Sequence, residues 1–550
     1  VPGPARPPSA WVLPLLLLIL PFEPRRPTLR TLGLELTLTE LAAAAAIVLI
    51  LWSRREQVLA LFRRPPLPLA CVWGFAAAHL LSALWASDHQ GLAFKFALRM
   101  TGAAVFALAA AAAPALSRQL ALRTLAAAGT IVAVVAVLEG LGTPGLERAV
   151  AFFHGPRHEG GRAFAGSESP NLAAAMISYG FVAAMGVSSF TRRALPKAVA
   201  WAAVLSAGLL ATLSRGGIGA TALALAVLAA ALRGREGPRA LAPIGGLAVL
   251  VAATAAFLAG GPALRNRLAT EIVVSGYGAL YEPGESAFQI APGERRTTTV
   301  RVTNTGRGTW RDGQIFLTCL WYEVEPRVAI EWRTRCPRVP LPREVRPGES
   351  LRLDVPVTAP LDEGRHLLGW EMVDSELPFS AYGVPPGVVA VTVARDGGAP
   401  FAFDGQAGLG RRGRVELFRL AWLMWRDHPW MGVGPDNFRW LNARYGGWTG
   451  GLPLDSTQRA HNVYLEAAAT TGVLGLLGLV ATLAATAVAA WRALRGADVG
   501  SEGARLSAVV LGLVTVIAAH GMVDTVLPFT GHYLVFGFVV GCAAALSRPA

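Results

Sequence analysis

Long apolar runs alternate with short polar connections along most of the chain. Stretches rich in Ala, Leu and Val recur at 11–22, 32–52, 67–86, 95–114, 121–141, 171–190, 197–213, 216–233, 242–260, 462–491, 505–526 and 530–547. As helices, runs of this kind cover about 30 Å of hydrocarbon. The pattern predicts an all-α polytopic membrane protein of about 12 transmembrane helices. A tight Ser214-Arg215-Gly216-Gly217 corner joins the seventh run to the eighth. Trp11, Trp52, Trp85 and Trp491 fall at run ends, where interfacial aromatics belong. No small-residue cleavage site follows Trp11–Phe22, so that stretch reads as a retained first span rather than a signal peptide. The opening at Val1 fits a natural start that has been trimmed.

One long polar segment, 261–461, breaks this rhythm. From 271 to 396 the apolar period changes to two: Leu351, Leu353, Val355 and Val357 alternate, as do Val389, Val391 and Val393, and Leu368, Trp370 and Met372 share one face. This is the half-buried strand signal, and APGE (291–294) and RPGES (346–350) mark turns between strands. The segment predicts an inserted periplasmic β-sandwich. Residues 411–438 follow with Arg411, Arg412, Arg414, Arg419 and Arg426 interleaved among Leu417, Leu420, Trp422, Met424 and Trp425. That is a basic amphipathic helix suited to a membrane surface. The expected organisation is 1–260 with helices 1–9, a β-insert at 261–400, an amphipathic helical segment at 401–461, and helices 10–12 at 462–550.

Composition fits a membrane solvent: of 550 residues, 53% are hydrophobic and 16% charged, and the mean hydropathy is +0.45. The net charge of +14 is not gathered in one basic stripe, which argues against a nucleic-acid partner. It lies instead in alternate loops, at 53–64, 117–123, 191–197, 232–239 and 492–505, each with Lys or Arg, while 87–92 and 527–531 have none. Positive charge retained inside then places both termini in the cytoplasm and 261–461 in the periplasm; the arginines of 21–30 are the misfit. Cys71 and Cys542 lie in apolar runs, whereas Cys319 and Cys336 share the polar segment, where a disulfide is open to them. No Cys/His cluster has metal-ligand spacing, so no metal and no cofactor are expected.

Few polar groups suit chemistry. Arg215 sits between two apolar runs, either as an interfacial anchor or as a planar fork for phosphate oxygens, with two glycines allowing close backbone approach. His461 opens the tenth run in HNVYLE. A histidine there is either a helix-start packing residue or a general base at the water boundary. Asn462 can orient it, and Tyr464 follows at i+3. Glu35, Glu40, Lys95, Arg99, His520 and Asp524 are further ionisable groups in or near apolar runs; Lys95 and Arg99 lie near the outer surface, and His520 and Asp524 fall at i,i+4 in the eleventh run.

The stretches LSALWASDHQGLAFKFALRM (81–100), GRAFAGSESPNLAAAMI (161–177), LSRGGIG (213–219), RVELFRLAWLMWRDHPWMGVGPDNF (414–438) and HNVYLEAAATTGVLGLLG (461–478) together resemble the O-antigen ligase and O-antigen polymerase superfamily. The β-insert lies outside this resemblance. Its run from RVTNTGRGTW to GRHLLGWEMVDSE resembles the immunoglobulin-like modules of bacterial carbohydrate-active proteins, which bind glycan, position an acceptor or space domains.

The superfamily resemblance implies a metal-independent, inverting glycosyltransferase of the bacterial inner membrane, with its site facing the periplasm. Its donor is an undecaprenyl-diphosphate-linked glycan. Lipid A-core, another lipid-linked glycan or a protein hydroxyl is the acceptor, as for a ligase, a polymerase or an O-oligosaccharyltransferase. The span count favours the ligase. By the same resemblance Arg215, Arg162 and Arg414 bind the donor diphosphate, His461 is catalytic, and Lys95, Arg99, Asn462 and Tyr464 are substrate-binding candidates. Two other classes compete, a lipid-linked-sugar transporter and a glycan-binding scaffold. A transporter predicts repeats and midplane sites, which the chain does not display. A scaffold predicts a dispensable His461.

Overall fold

A computed structural model of the chain describes residues 9–24, 28–31, 34–153, 162–187, 195–233, 241–260, 277–306, 308–323, 336–374, 379, 384, 386–395, 414–446 and 459–547. The expected basic loop residues 191–194 and 234–239, with Arg411 and Arg412, lie outside them. The chain divides into two compact units. One comprises 1–270, 421–438 and 459–550; the other comprises 271–420 and 439–458.

The first unit is helical. Its helices are α1 (Ser9–Ile19), α2 (Leu38–Ser53), α3 (Arg55–Arg63), α4 (Leu67–Trp85), α5 (Gln90–Ala112), α6 (Ala115–Gly140), α7 (Leu146–Phe153), α8 (Pro170–Val187), α9 (Leu195–Ala211), α10 (Arg215–Leu232) and α11 (Leu241–Gly260). After α12 (Arg414–Asp427), at which the two units meet in sequence, and α13 (Phe438–Gly446) of the second unit come α14 (Val463–Gly496), α15 (Glu502–Gly521) and α16 (Thr530–Leu546). Among the described residues, α4, α5, α6, α8, α10, α11, α14 and α15 are long and apolar enough to cross a membrane. The four remaining apolar runs form shorter helices, α1, α2, α9 and α16.

Close backbone approach holds this bundle together, because lipid tails are as apolar as leucine and cannot drive helices together by hydrophobicity alone. Gly129 of α6 and Gly180 of α8 face each other so closely that a Cβ on either would lie 2.6 Å from the other's Cα. The carbonyl of Ala107 on α5 likewise rests against Gly541 of α16.

Several expected boundaries move: α5 begins at Gln90 and α6 at Ala115, so the basic stretch 117–123 is helical rather than a loop. The second apolar run does not begin its helix at 32; residues 29–31 and 34–36 pair as an antiparallel hairpin, β1 and β2, and α2 starts at Leu38. A capping box sets that start: Thr37 Oγ1 accepts from Glu40 N at 3.2 Å, and Glu40 Oε2 accepts from Thr37 N at 3.0 Å. The eleventh run stops at Gly521, so His520 and Asp524 do not share a helix face. Asp524 Oδ1 accepts from the following Thr525 N at 2.8 Å, a local bond that competes with helix continuation.

The second unit contains two sheets. Strands β3 (Ala279–Pro283), β5 (Arg295–Asn304) and β8 (Ser350–Thr358) form one. The other runs β4 (Ala287–Ile290), β10 (Gly387–Val393), β9 (Gly364–Asp374), β6 (Ile315–Glu323) and β7 (Val339–Pro340). Val300, Val302 and Val355 of the first sheet share one core with Leu317, Trp370 and Val391 of the second. Tyr281 of β3 also reaches across, its hydroxyl oxygen accepting from Met372 N of β9 at 2.8 Å. The alternation in β8 buries Leu353, Val355 and Val357 as the sequence predicts. β9 differs: His366 through Val373 are all buried, so both of its faces are covered. Cys319 and Cys336 are disulfide-bonded, with Cα atoms 5.0 Å apart.

Candidate active site

The most chemically organised region of the helical unit lies where α14 begins. Asn462 caps that helix, its Oδ1 accepting from Tyr464 N and Leu465 N, each at 3.0 Å. Its Nδ2 donates to Met522 O at 3.0 Å, and the Tyr464 hydroxyl donates to Ala518 O at 3.0 Å. The polar atoms of Asn462 and Tyr464 therefore fasten the start of α14 to the end of α15. Just before the cap, His461 takes a left-handed backbone conformation, φ +48°. Such a conformation costs a non-glycine residue about 1–3 kcal/mol and is held only where surrounding contacts impose it.

The imposing contact on the ring is Asp524. His461 Nδ1 lies 2.9 Å from Asp524 Oδ1, and the side chain remains 30% exposed. With its proton on Nδ1, donated to the carboxylate, the neutral ring presents a lone pair at Nε2. Among the described residues Nε2 has no hydrogen-bond partner. Burial pushes the Asp524 carboxyl upward. The hydrogen bond and charge of His461, the His520 ring and the Thr525 N–H outweigh it and hold the group below the usual carboxylate range.

A buried ion network braces this pair. Glu466 accepts from Arg459 Nη1 at 3.0 Å, Ala460 N at 2.9 Å and Thr525 Oγ1 at 3.1 Å. Arg459 Nη2 also reaches Asp436 Oδ1 at 2.7 Å. Burial opposes the charge on Arg459, but the two carboxylates overcome it and raise its pKa. One chain of contacts thus runs from Asp436 through Arg459, Glu466 and Thr525 to Asp524 and His461. The segment before Asp436 lies along a break in α14 at Gly472, φ +64° and ψ −163°. Val433 N donates to Ala469 O at 2.9 Å, Gly434 N to Thr470 O at 2.9 Å, and Val473 N to Pro429 O at 2.8 Å. A Cβ on Gly472 would fall onto the Trp430 carbonyl.

The arginine corner adjoins the same loop. Ser214 caps α10, accepting from Gly217 N at 3.2 Å, and Arg215 follows as the first helical residue. A Cβ on Gly216 would collide with Val523, with the His520 ring 3.7 Å away, so the corner packs directly against the residues preceding Asp524. Arg215 is exposed, and its guanidinium has no polar partner among the described residues. Arg162 is buried nearby: Nε donates to Thr212 O at 3.0 Å and Nη2 to Asn171 Oδ1 at 2.7 Å, and that oxygen also accepts from Ser214 Oγ at 2.9 Å.

Arg99 of α5 contacts another part of the loop that carries Asp524. Its Nε pairs with Glu40 Oε1 at 3.0 Å and its Nη1 donates to Pro528 O at 3.3 Å; Lys95, one turn earlier, is half-buried. Arg414 opens α12 in the second unit and is exposed. The side chains of Arg30 and Glu35 lie outside the described residues. Among the described residues, no group of three or more His, Cys, Asp or Glu is placed to hold a metal ion.

The helices and this polar corner define a multi-pass membrane protein. Residues 377–480 match the family model described as O-antigen ligase, a stretch that contains Asp436, Arg459, His461 and Glu466. The match supports the O-antigen ligase and polymerase superfamily, glycosyltransferase-like enzymes whose substrates are in general lipid-linked glycans and acceptors. No curated protein matches the chain. Among solved structures, Spo0M, a sporulation control protein from Bacillus subtilis, aligns at 14% identity over 27% of this chain and 55% of its own, with a TM-score of 0.15. The chain thus spans about half the length of that protein. The alkylpurine DNA glycosylase AlkC of Pseudomonas fluorescens, bound to DNA containing an abasic site analog, aligns at 10% identity over 60% of this chain and 99% of its own, also at 0.15. At such scores neither alignment bears on function.

Proposed function

We propose that the protein transfers a glycan en bloc from undecaprenyl diphosphate to an acceptor hydroxyl on the periplasmic side of the inner membrane. Lipid A-core is the acceptor favoured, which makes the protein an O-antigen ligase. The reading assumes twelve crossings with both termini cytoplasmic, and an immunoglobulin-like module at 261–400 outside the membrane. A Cys319–Cys336 disulfide suits that oxidising compartment.

The observation that carries the reading is the His461–Asp524 pair beside the Arg215 corner. In the proposed reaction His461 Nε2 accepts the proton of the acceptor hydroxyl. The freed oxygen attacks the anomeric carbon, the bond from that carbon to the diphosphate oxygen breaks, and the configuration inverts. The leaving diphosphate gains negative charge, which Arg215 stabilises in place of a metal, with Arg162 and Arg414 adding positive charge. Asp524 is the positioning residue that fixes the tautomer of His461 and stabilises the imidazolium. Asn462 and Tyr464 hold the helix start, and Lys95 and Arg99 extend the basic wall.

The test supplies purified protein with a defined undecaprenyl-diphosphate oligosaccharide and with lipid A-core, lipid-linked glycan or peptide acceptors. Transfer to lipid A-core by wild type, lost in His461→Ala and Arg215→Ala, is the expected result. Transfer to another acceptor selects polymerase or protein glycosylation. Undiminished transfer by both variants refutes the site.

A further inference from the structure

The end of the bundle away from His461 holds a cavity that glycan transfer does not use. The twenty or so residues of unbroken helix from Gly472 to Arg492, at 1.5 Å per residue, extend roughly 30 Å beyond the break that lies nearer His461. There the α3–α4 junction, the last turns of α14 and the end of α16 border a half-open hollow of about 740 Å³. Pro66, Leu67, Val488 and Leu546 give it apolar walls, and Arg64 and Arg492 line it with positive charge. Both arginines are exposed, and among the described residues neither guanidinium has a hydrogen bond or ion pair.

Aromatic side chains surround this end. Trp491, next to Arg492, is 50% exposed, and the exposed Phe62 stacks on Trp73 at 5.1 Å. Rings so placed belong at the level of lipid headgroups. A ligand for the cavity must therefore neutralise two guanidinium groups and also cover an apolar wall at the membrane boundary. Free phosphate meets only the first requirement and a neutral lipid only the second. Arginine's planar fork matches phosphate oxygens, and basic hollows between membrane helices accept anionic headgroups. The volume falls within the roughly 300–1,000 Å³ usual for small-molecule sites.

We infer that this cavity binds an anionic phospholipid, with Arg64 and Arg492 holding its phosphate and the acyl chains lying along Leu67, Val488 and Leu546. The inference needs only the membrane location of the bundle and is independent of the proposed glycan transfer.

Native mass spectrometry of the full chain, delipidated in detergent and then given phosphatidylglycerol or phosphatidylcholine of identical chains, tests it. Wild type should retain phosphatidylglycerol preferentially. Arg64→Ala/Arg492→Ala should lower that retention on the order of 10- to 30-fold, since each arginine near a headgroup contributes about a fivefold change. Arg64→Lys/Arg492→Lys should keep most of it, as should Arg55→Ala/Arg495→Ala, which removes two exposed arginines outside the cavity wall. Equal retention by wild type and the Arg64/Arg492 alanine variant overturns the inference, as does an equal loss in the Arg55/Arg495 control. Stabilisation by inorganic phosphate equal to that by phosphatidylglycerol would make the site a simple anion site and also overturn it.

Discussion

Replacing Asp524 by asparagine removes a charge from the candidate site and almost no volume. Oδ1 of the wild-type carboxylate takes two bonds, from His461 Nδ1 at 2.9 Å and from Thr525 N at 2.8 Å. A bond to a charged group contributes about 1.5–3 kcal/mol, against about 0.5–1.5 kcal/mol for a neutral one. Once the ring carries the acceptor's proton it becomes a cation, and the missing carboxylate is then felt most strongly. A loss of about 2–3 kcal/mol at that stage slows transfer roughly 30- to 150-fold. Single-turnover transfer at saturating donor measures the rate, and binding of the undecaprenyl-diphosphate glycan is measured separately. Asp524→Asn should lower the first and leave the second unchanged. A folded variant that transfers within threefold of wild type would refute the positioning role. So would a variant that loses donor binding in proportion.

The same carboxylate sets an acid limit. Its pKa is depressed in the folded protein, so its stabilisation is present above the unfolded value of 3.8 and lost as pH falls through the folded one. Thermal unfolding in detergent should therefore show wild type losing more stability than Asp524→Asn as the pH falls below about 4. Arg459→Ala removes the guanidinium shared by the buried Asp436 and Glu466 carboxylates and should cost about 3–5 kcal/mol, seen as a lower unfolding midpoint. Gly472→Ala should cost at least about 2–3 kcal/mol by the same measurement, from its glycine-only backbone angles and the Trp430 carbonyl. Reducing the Cys319–Cys336 bond, which spans 17 residues, should destabilise the sheet unit by about 3 kcal/mol; an unchanged midpoint under reductant would contradict this.

Much of the helical framework was legible because a bilayer demands long apolar runs, and such runs declare themselves without reference to any partner. Strand β8 was legible for a similar reason, its buried positions recurring at every second residue, and in β10 the alternating Val389, Val391 and Val393 are all buried. Errors arose where a local polar group overrode hydropathy. Thr37 and Glu40 cap α2 six residues after the apolar run begins, and the T-x-x-E spacing was the available signal. Asp524 ends its stretch by bonding the next backbone amide, a competition that an apolar average does not register. His461, Asn462 and Arg215 stood out as polar groups at helix starts. The partnership of His461 with Asp524 and the chain from Asp436 through Arg459 to Glu466 did not, because they join positions separated along the sequence by helices and loops. The GVGPDN stretch and HNVYLE meet through this network, a physical reason for the two motifs to occur together.

In the proposed transfer one bond to a lipid diphosphate is exchanged for one bond to an acceptor oxygen. Mass spectrometry of a single-turnover reaction, with wild-type protein, an undecaprenyl-diphosphate oligosaccharide and lipid A-core, counts both products directly. Undecaprenyl diphosphate and glycosylated lipid A-core are expected in equal amounts, neither formed by His461→Ala. Donor that remains intact, or undecaprenyl diphosphate released with free glycan and no glycosylated acceptor, would contradict the proposed transfer.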